Sequence, residues 1–261
     1  MVTSVRVPDV ESAQERIEYV RGWLPAPPVV LLPGLFAGSW IWKPAWDHLT
    51  GIGYSVLQVA EPFAALHTKA ASIEGLRRML IDSLDGHEIS QAVLCGNSLG
   101  SLVALDLARH HPDRVKALVI SGCPGLCETP NLGLRRSGDM SRQNADCIAD
   151  QLFYDRSAIP EGMIEKSYAV ALDRRCAINM LRYVLAIHKY DMRECLGQIQ
   201  CEVSMIWGED DRIAPVEDWE KSLHLIAHAT LHKLARCGHA PMIERPVEFN
   251  VILAKFMREQ G

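Results

Sequence analysis

A hydroxyl, an imidazole and a carboxylate suffice for nucleophilic catalysis when folding brings them together. The hydroxyl candidate is Ser98, in the run Cys95-Gly96-Asn97-Ser98-Leu99-Gly100. G-x-S-x-G alone is a weak pattern. Here an apolar run precedes it and a helical pattern follows, and that context gives it meaning. A serine on a sharp strand-to-helix turn exposes its hydroxyl, and glycines flank it because a Cβ there would meet the neighbouring strand or helix. The bland alternative is an ordinary helix-capping serine.

Serine needs a base. Of ten histidines, His239 is the strongest candidate. It lies in Cys237-Gly238-His239-Ala240-Pro241, between a predicted strand and the terminal helix. Loops at the carboxyl edge of an open α/β sheet are where ligands bind. His110 and His111 precede Pro112 at a helix end, His224, His228 and His232 fall on or near a predicted surface helix, and His188 is expected to face the interior of a helical segment. The carboxylate that orients the base comes from the run Gly208-Glu209-Asp210-Asp211-Arg212. Asp211 is the first choice and Asp210 the second; as a bland alternative, the run is a solvated turn. A fourth part follows the first long apolar strand, in Leu32-Pro33-Gly34-Leu35-Phe36-Ala37-Gly38-Ser39-Trp40. Gly34 lets the backbone turn so that the Leu35 N–H faces a substrate oxygen. With the Leu99 N–H at the helix start it forms two oxyanion donors, each typically worth ~3–4 kcal/mol of transition-state stabilisation. Gly34 and Phe36 are the residues expected against the substrate.

These parts must be positioned by strands and helices in alternation. Strands are predicted at residues 16–23, Val29–Leu32, residues 54–60, residues 92–95 and Val115–Ser121. Ile73, Leu76, Leu80 and Leu84 share one helical face, and a helix is predicted over Leu99–His110. Continuous apolar strands separated by helices imply a parallel sheet buried on both faces. From 126 to 200 no strong strand is visible, and Ala177, Met180, Leu181, Val184, Leu185 and His188 recur at helical spacing. The rhythm returns with a strand at 202–207, a helix at 216–227, a strand at 230–234, and a terminal helix marked by Phe249, Ile252, Leu253 and Phe256. The expected organisation is a core of 1–125 and 201–261 with a helical insertion of 126–200.

Four segments in this order resemble the α/β-hydrolase superfamily, in its cap-bearing epoxide-hydrolase-like and C–C-hydrolase-like branch. GNSLG resembles the nucleophile elbow, WGEDDRIAP the acid segment W-G-x-x-D-x-x-x-P, and CGHAPMIERP the histidine segment G-H-x-x-x-x-E-x-P. LLPGLFAGSWIW is similar to the oxyanion loop and the helix after it. The resemblance favours Asp211 over Asp210 and implies an α/β-hydrolase fold whose insertion caps the site. The sequence departs from the pattern at Pro33, where a histidine is usual. The nucleophile position holds serine, which argues against haloalkane dehalogenases and true epoxide hydrolases. Phe153, Met163, Met180, Leu181, Val184 and Leu185 in the cap suggest a largely apolar substrate. Arg174, Arg175 and Arg182 are available to a substrate carboxylate, although a solvated surface role suits them better.

The expected function is serine hydrolysis of an ester, a thioester or an activated C–C (diketone) bond, with Ser98, Asp211 and His239 as the triad and no cofactor or metal. Two alternatives are elimination of an acyl group by the same machinery, and a ligand receptor on this fold. A net charge of −5 on 261 residues speaks against nucleic acid or an anionic membrane as the main partner. No apolar run approaches the ~20 residues that span a bilayer, and no signal peptide is read at the N-terminus. The eight scattered cysteines show no zinc spacing and are expected as free thiols, with the cytoplasm as the setting.

Overall fold

The computed structural model describes residues 17–66, 71–126 and 142–260. Seven strands form one sheet in the order β1-β3-β2-β4-β5-β6-β7. They are β1 (Ile17–Val20), β2 (Val29–Leu32), β3 (Val56–Val59), β4 (Ala92–Asn97), β5 (Val115–Ser121), β6 (Glu202–Gly208) and β7 (Ala229–Leu234). Only β1 is antiparallel, against β3; the others pair in parallel. Every residue of β2, β3 and β4 is buried, whereas the edge strand β1 alternates between half-buried and exposed. That contrast follows from helices covering both faces of the central strands.

Successive side chains along a strand point to opposite faces, so two cores form. Val30, Leu32 and Leu94 join one, with α2 (Ile73–Gly86) and α3 (Leu99–His110). Val29, Leu31 and Val93 join the other, with α1 (Lys43–Gly51) and α10 (Pro246–Glu259). Between β5 and β6, the described residues hold four α-helices, a single 3-10 turn at Arg156–Ala158 and no strand: α4 (Arg142–Leu152), α5 (Met163–Leu172), α6 (Arg174–Lys189) and α7 (Met192–Leu196). Two more, α8 (Val216–Ser222) and α9 (Pro241–Glu244), follow β6 and β7. Ser72 caps α2 by accepting from the Gly75 N–H at 3.1 Å, and Asp173 caps α6 by accepting from Cys176 N–H at 2.8 Å. Each satisfies a donor that the first helical turn leaves free.

β2, Leu99–His110 and β5 have the boundaries their patterns predicted. Other elements differ. The predicted strand at 16–23 is only β1, because pairing with β3 ends at Val20 and Gly22 N–H turns to Ser55 Oγ; Arg16 lies outside the described residues. The strand predicted at 54–60 contracts to β3. β4 runs two residues beyond its apolar run, because Gly96 and Asn97 still pair with Ile120 and Ser121. The helix predicted at 216–227 stops at Ser222 and tightens into a single turn at Leu223–Leu225.

Candidate active site

The strand order reverses direction at β2, which has β3 on one side and β4 on the other. Loops leaving β2 and β4 therefore open a crevice at the carboxyl edge of the sheet, where open α/β folds bind ligands. Ser98 stands at this point, between β4 and α3. Its backbone has φ 55° and ψ −122°, a region that a non-glycine residue occupies only under constraint. The constraint is visible. Ser98 N–H donates to Ser121 O at 2.9 Å, and Ser101 N–H donates to Ser98 O at 2.9 Å. The flanking glycines are sterically required. A Cβ on Gly96 would lie 2.6 Å from the Gly100 carbonyl, and one on Gly100 would lie 2.3 Å from Leu32 O. The chain can make so abrupt a turn only because α3 begins in direct contact with the end of β2.

His239 and Asp211 are both 4% exposed. His239 Nδ1 faces both carboxylate oxygens of Asp211, at 3.0 Å and 2.9 Å. Since a carboxylate only accepts, the ring proton sits on Nδ1 and Nε2 is left as the basic nitrogen. Asp211 Oδ1 also accepts from the Ile213 and Ala214 N–H groups, each at 2.9 Å. Those bonds fix the carboxylate in place against the imidazole. Trp207 Nε1 donates to Ala214 O at 2.8 Å and so braces the same loop from inside the sheet. Of the two acids considered, the structure brings Asp211 to the imidazole. Asp210 contributes its backbone instead, donating to Cys237 O at 2.9 Å.

The loop after β2 meets Ser98 directly: a Cβ on Gly34 would lie 3.3 Å from Ser98 Cβ. This contact puts the neighbouring Leu35 beside the serine turn, while Leu99 opens α3, whose first N–H groups have no intrahelical acceptor. Phe36 is half-buried and packs on the larger core. With proline at position 33, the loop is held by main-chain bonds: Ala37 N–H to Gly34 O at 3.5 Å, Ser39 N–H to Ala60 O at 2.9 Å, and Ile41 N–H to Gly38 O at 3.2 Å.

Three residues that the sequence reading did not single out join these loops. Asn97 Nδ2 donates to His239 O at 2.9 Å and to Ser121 Oγ at 3.2 Å, tying the serine turn to the histidine loop. Gly122, with φ 56°, lies against the imidazole, where a Cβ would be 2.7 Å from His239 Cε1. Glu244, also 4% exposed, accepts from Gly238 N–H at 2.8 Å, Tyr154 N–H at 2.7 Å and Asp155 N–H at 3.2 Å. Burial raises its carboxyl above the ordinary glutamate range, and the three N–H groups pull against that rise. The signals were present as an asparagine before the serine, a glycine ending a strand, and the fixed acid of the histidine segment. None of them names its partner.

Other expectations are corrected. His188 is exposed, not facing the interior of the segment, whereas His232 lies in β7, within the strand expected there. Met163 and Met180 are buried, but Leu181 and Leu185 are 61% and 51% exposed on the outer side of α6. Arg174 and Arg182 are exposed, in keeping with the solvated surface role expected of them. Cys95, Cys123, Cys176, Cys195, Cys201 and Cys237 are free thiols; Cys127 and the side chain of Cys147 lie outside what the structure describes. Burial pushes the Cys95 and Cys237 thiols, the two nearest the serine and histidine in sequence, far above their usual value, so neither competes with Ser98 as a nucleophile. Among the described residues no group of three His, Cys, Asp or Glu side chains could hold a metal ion, and no helix is long and apolar enough to cross a membrane.

The family described as alpha/beta hydrolase matches residues 29–251, a span that includes all four loops. A similar relative is a pimeloyl-(acyl-carrier protein) methyl ester esterase from Aromatoleum aromaticum, 27% identical over 251 residues, covering 89% of this chain and 98% of the relative. A 2-hydroxy-6-oxononadienedioate/2-hydroxy-6-oxononatrienedioate hydrolase from Cupriavidus pinatubonensis is 27% identical over 251 residues, covering 88% of this chain and 86% of the relative. The match to a 2-hydroxy-6-oxo-6-phenylhexa-2,4-dienoate hydrolase from Comamonas testosteroni, 25% identical over 191 residues, takes in 68% of this chain and 66% of that protein's length. Among solved structures, a meta-cleavage product hydrolase from Pseudomonas fluorescens IP01 shares the fold, with a TM-score of 0.80 at 21% identity over 94% of each chain.

Proposed function

The chain belongs to the alpha/beta hydrolase family, and we propose that it is a serine hydrolase in which Ser98, His239 and Asp211 transfer an acyl group to water. Ser98 Oγ attacks the substrate carbonyl carbon while His239 Nε2 takes its proton. Asp211 holds the tautomer and stabilises the imidazolium. The Leu35 and Leu99 N–H groups receive the oxyanion. His239 then protonates the leaving group, and the acyl-enzyme is released when water, activated by the same nitrogen, attacks it.

The observation that carries this reading is the buried His239–Asp211 pair, joined through Asn97 to the residue that turns into α3. The substrate class is a small to medium, largely apolar ester, thioester or vinylogous diketone. The esterase and C–C hydrolases among the relatives support both bond types. Residues 126–200 act as a cap: Leu152 O, at the end of α4, accepts from His239 N–H at 2.7 Å, so this segment adjoins the histidine loop. The free thiols suit a reducing cytoplasm.

The test is steady-state turnover of p-nitrophenyl esters of increasing chain length, beside a 2-hydroxy-6-oxo-dienoate. Hydrolysis of either class with release of the free acid, abolished in Ser98→Ala, is the expected result. Release of an alkene with no acyl-enzyme would replace hydrolysis by elimination. Ligand-induced thermal stabilisation without turnover of any substrate would mark a receptor.

A further inference from the structure

Helix α6 carries two apolar faces, and among the described residues only one is covered. Cys176, Met180, Tyr183 and Ile187 are buried, and on their side Asn179 Nδ2 donates to Ala64 O at 3.0 Å. On the opposite side Ile178, Leu181 and Leu185 are 46%, 61% and 51% exposed. Spacings of three and four residues place them in one stripe. Arg174, Arg182 and Lys189 are exposed on that same side, and α6 contains no carboxylate. The acids that flank the helix are already engaged as caps, Asp173 by Cys176 N–H and Asp191 by Glu194 N–H. Among the described residues no salt bridge engages Arg174, Arg182 or Lys189.

We propose that this outer face of α6 docks on an anionic lipid surface. The helix would lie in the interfacial plane, with the three aliphatic side chains below the headgroups and the cations extending up to the phosphates. A second copy of the chain is the poorer occupant, since a two-fold contact along α6 would set its cations against one another. A specific protein partner is also poorer. Apart from the exposed His188, the stripe offers aliphatic and long cationic groups, without the Trp and Tyr anchors that concentrate binding energy at protein interfaces; Tyr183 and Asn179 are turned inward. The whole-chain charge of −5 speaks against a membrane as the partner of the whole surface but not of this one face, because charges farther away than the ~8 Å Debye length are screened at physiological salt. Docking is independent of the chemistry at Ser98.

The experiment is co-sedimentation of the full chain with phosphatidylcholine vesicles, with and without about one third phosphatidylglycerol. Wild type should partition about tenfold more strongly onto the anionic vesicles at about 50 mM salt and detach at about 500 mM. Leu181→Asp with Leu185→Asp, and separately Arg174→Glu with Arg182→Glu, should each lower that partition at least about tenfold. These positions are exposed, so circular dichroism and the melting temperature of both variants should match wild type. Wild type remaining in the supernatant, or both variants binding as wild type does, would overturn the proposal. So would Leu181- and Leu185-dependent self-association, or capture by an acidic protein, without vesicle binding.

Discussion

The loops at the carboxyl edge of the sheet and the helical segment between β5 and β6 are built on different principles. At the edge, backbones approach one another so closely that Gly96, Gly100 and Gly208 have no room for a methyl group, and at Gly122 the His239 ring takes that room. The polar side chains there, Asn97, Asp211 and Glu244, accept from or donate to main chain at fixed positions. In the helical segment, α6 is held by one side-chain stripe, and its opposite side meets solvent. The lesson is that position is specified at the edge by steric exclusion and directional bonds, and along α6 mainly by apolar contact, with Asn179 supplying a directional bond to Ala64 O. Substitutions should therefore be costly at the edge and cheap on the segment's outer side.

The sharpest test of that contrast at the edge is Asp211→Asn. It keeps the volume but presents an amide to Nδ1, favouring the wrong tautomer. Turnover should fall by about 10⁴-fold with little change in melting temperature, by analogy with other triads. Gly100→Ala comes next. Its methyl meets Leu32 O, a backbone atom between strand and helix, and the substitution should cost about 3 kcal/mol or more in denaturant unfolding. A cost below ~0.5 kcal/mol, normal for an unconstrained surface site, would show that the edge is less rigid than its contacts imply.

Glu244→Gln should have a smaller effect that depends on pH. One of its two acceptor oxygens becomes a donor facing N–H groups, so the variant should lose about 2 kcal/mol. Because burial raises the native carboxyl, the folded state holds a proton where the unfolded chain, near about 4.3, has released it. This group's contribution to stability is greatest below that unfolded value and declines as pH rises through the raised folded value. The glutamine variant cannot titrate, so the advantage of wild type over it should shrink in urea melts as pH rises from the unfolded glutamate value through the raised folded one. A constant difference would contradict the assignment. The smallest effect belongs to the helical segment. Asp173→Ala removes the α6 cap and should cost about 1 kcal/mol, while its lowered carboxyl value makes that contribution fade at strongly acidic pH; thermal unfolding measures both.

The same contrast explains what could be read beforehand. Ser98, Asp211 and His239 were legible because tight turns demand glycine, proline and aspartate at fixed offsets, and those residues punctuate the sequence. Asn97 and Glu244 were not, since their partners lie far along the chain: His239 for one, Tyr154 and Asp155 for the other. In α6, periodicity revealed the helix but not its inner side. Leu181 and Leu185 fit the pattern as well as Met180 does, yet the buried side includes the polar Asn179, which finds an acceptor in Ala64 O. Apolar spacing identifies a stripe, and only packing decides which stripe is covered.

The central claim is that the edge loops activate Ser98. The most direct measurement is the intact mass of the protein after treatment with a fluorophosphonate, on wild type and on Ser98→Ala. The account predicts a single adduct on wild type and none on the variant, with both proteins folded. A folded wild type that takes up no label, or a Ser98→Ala variant that labels equally well, would contradict it.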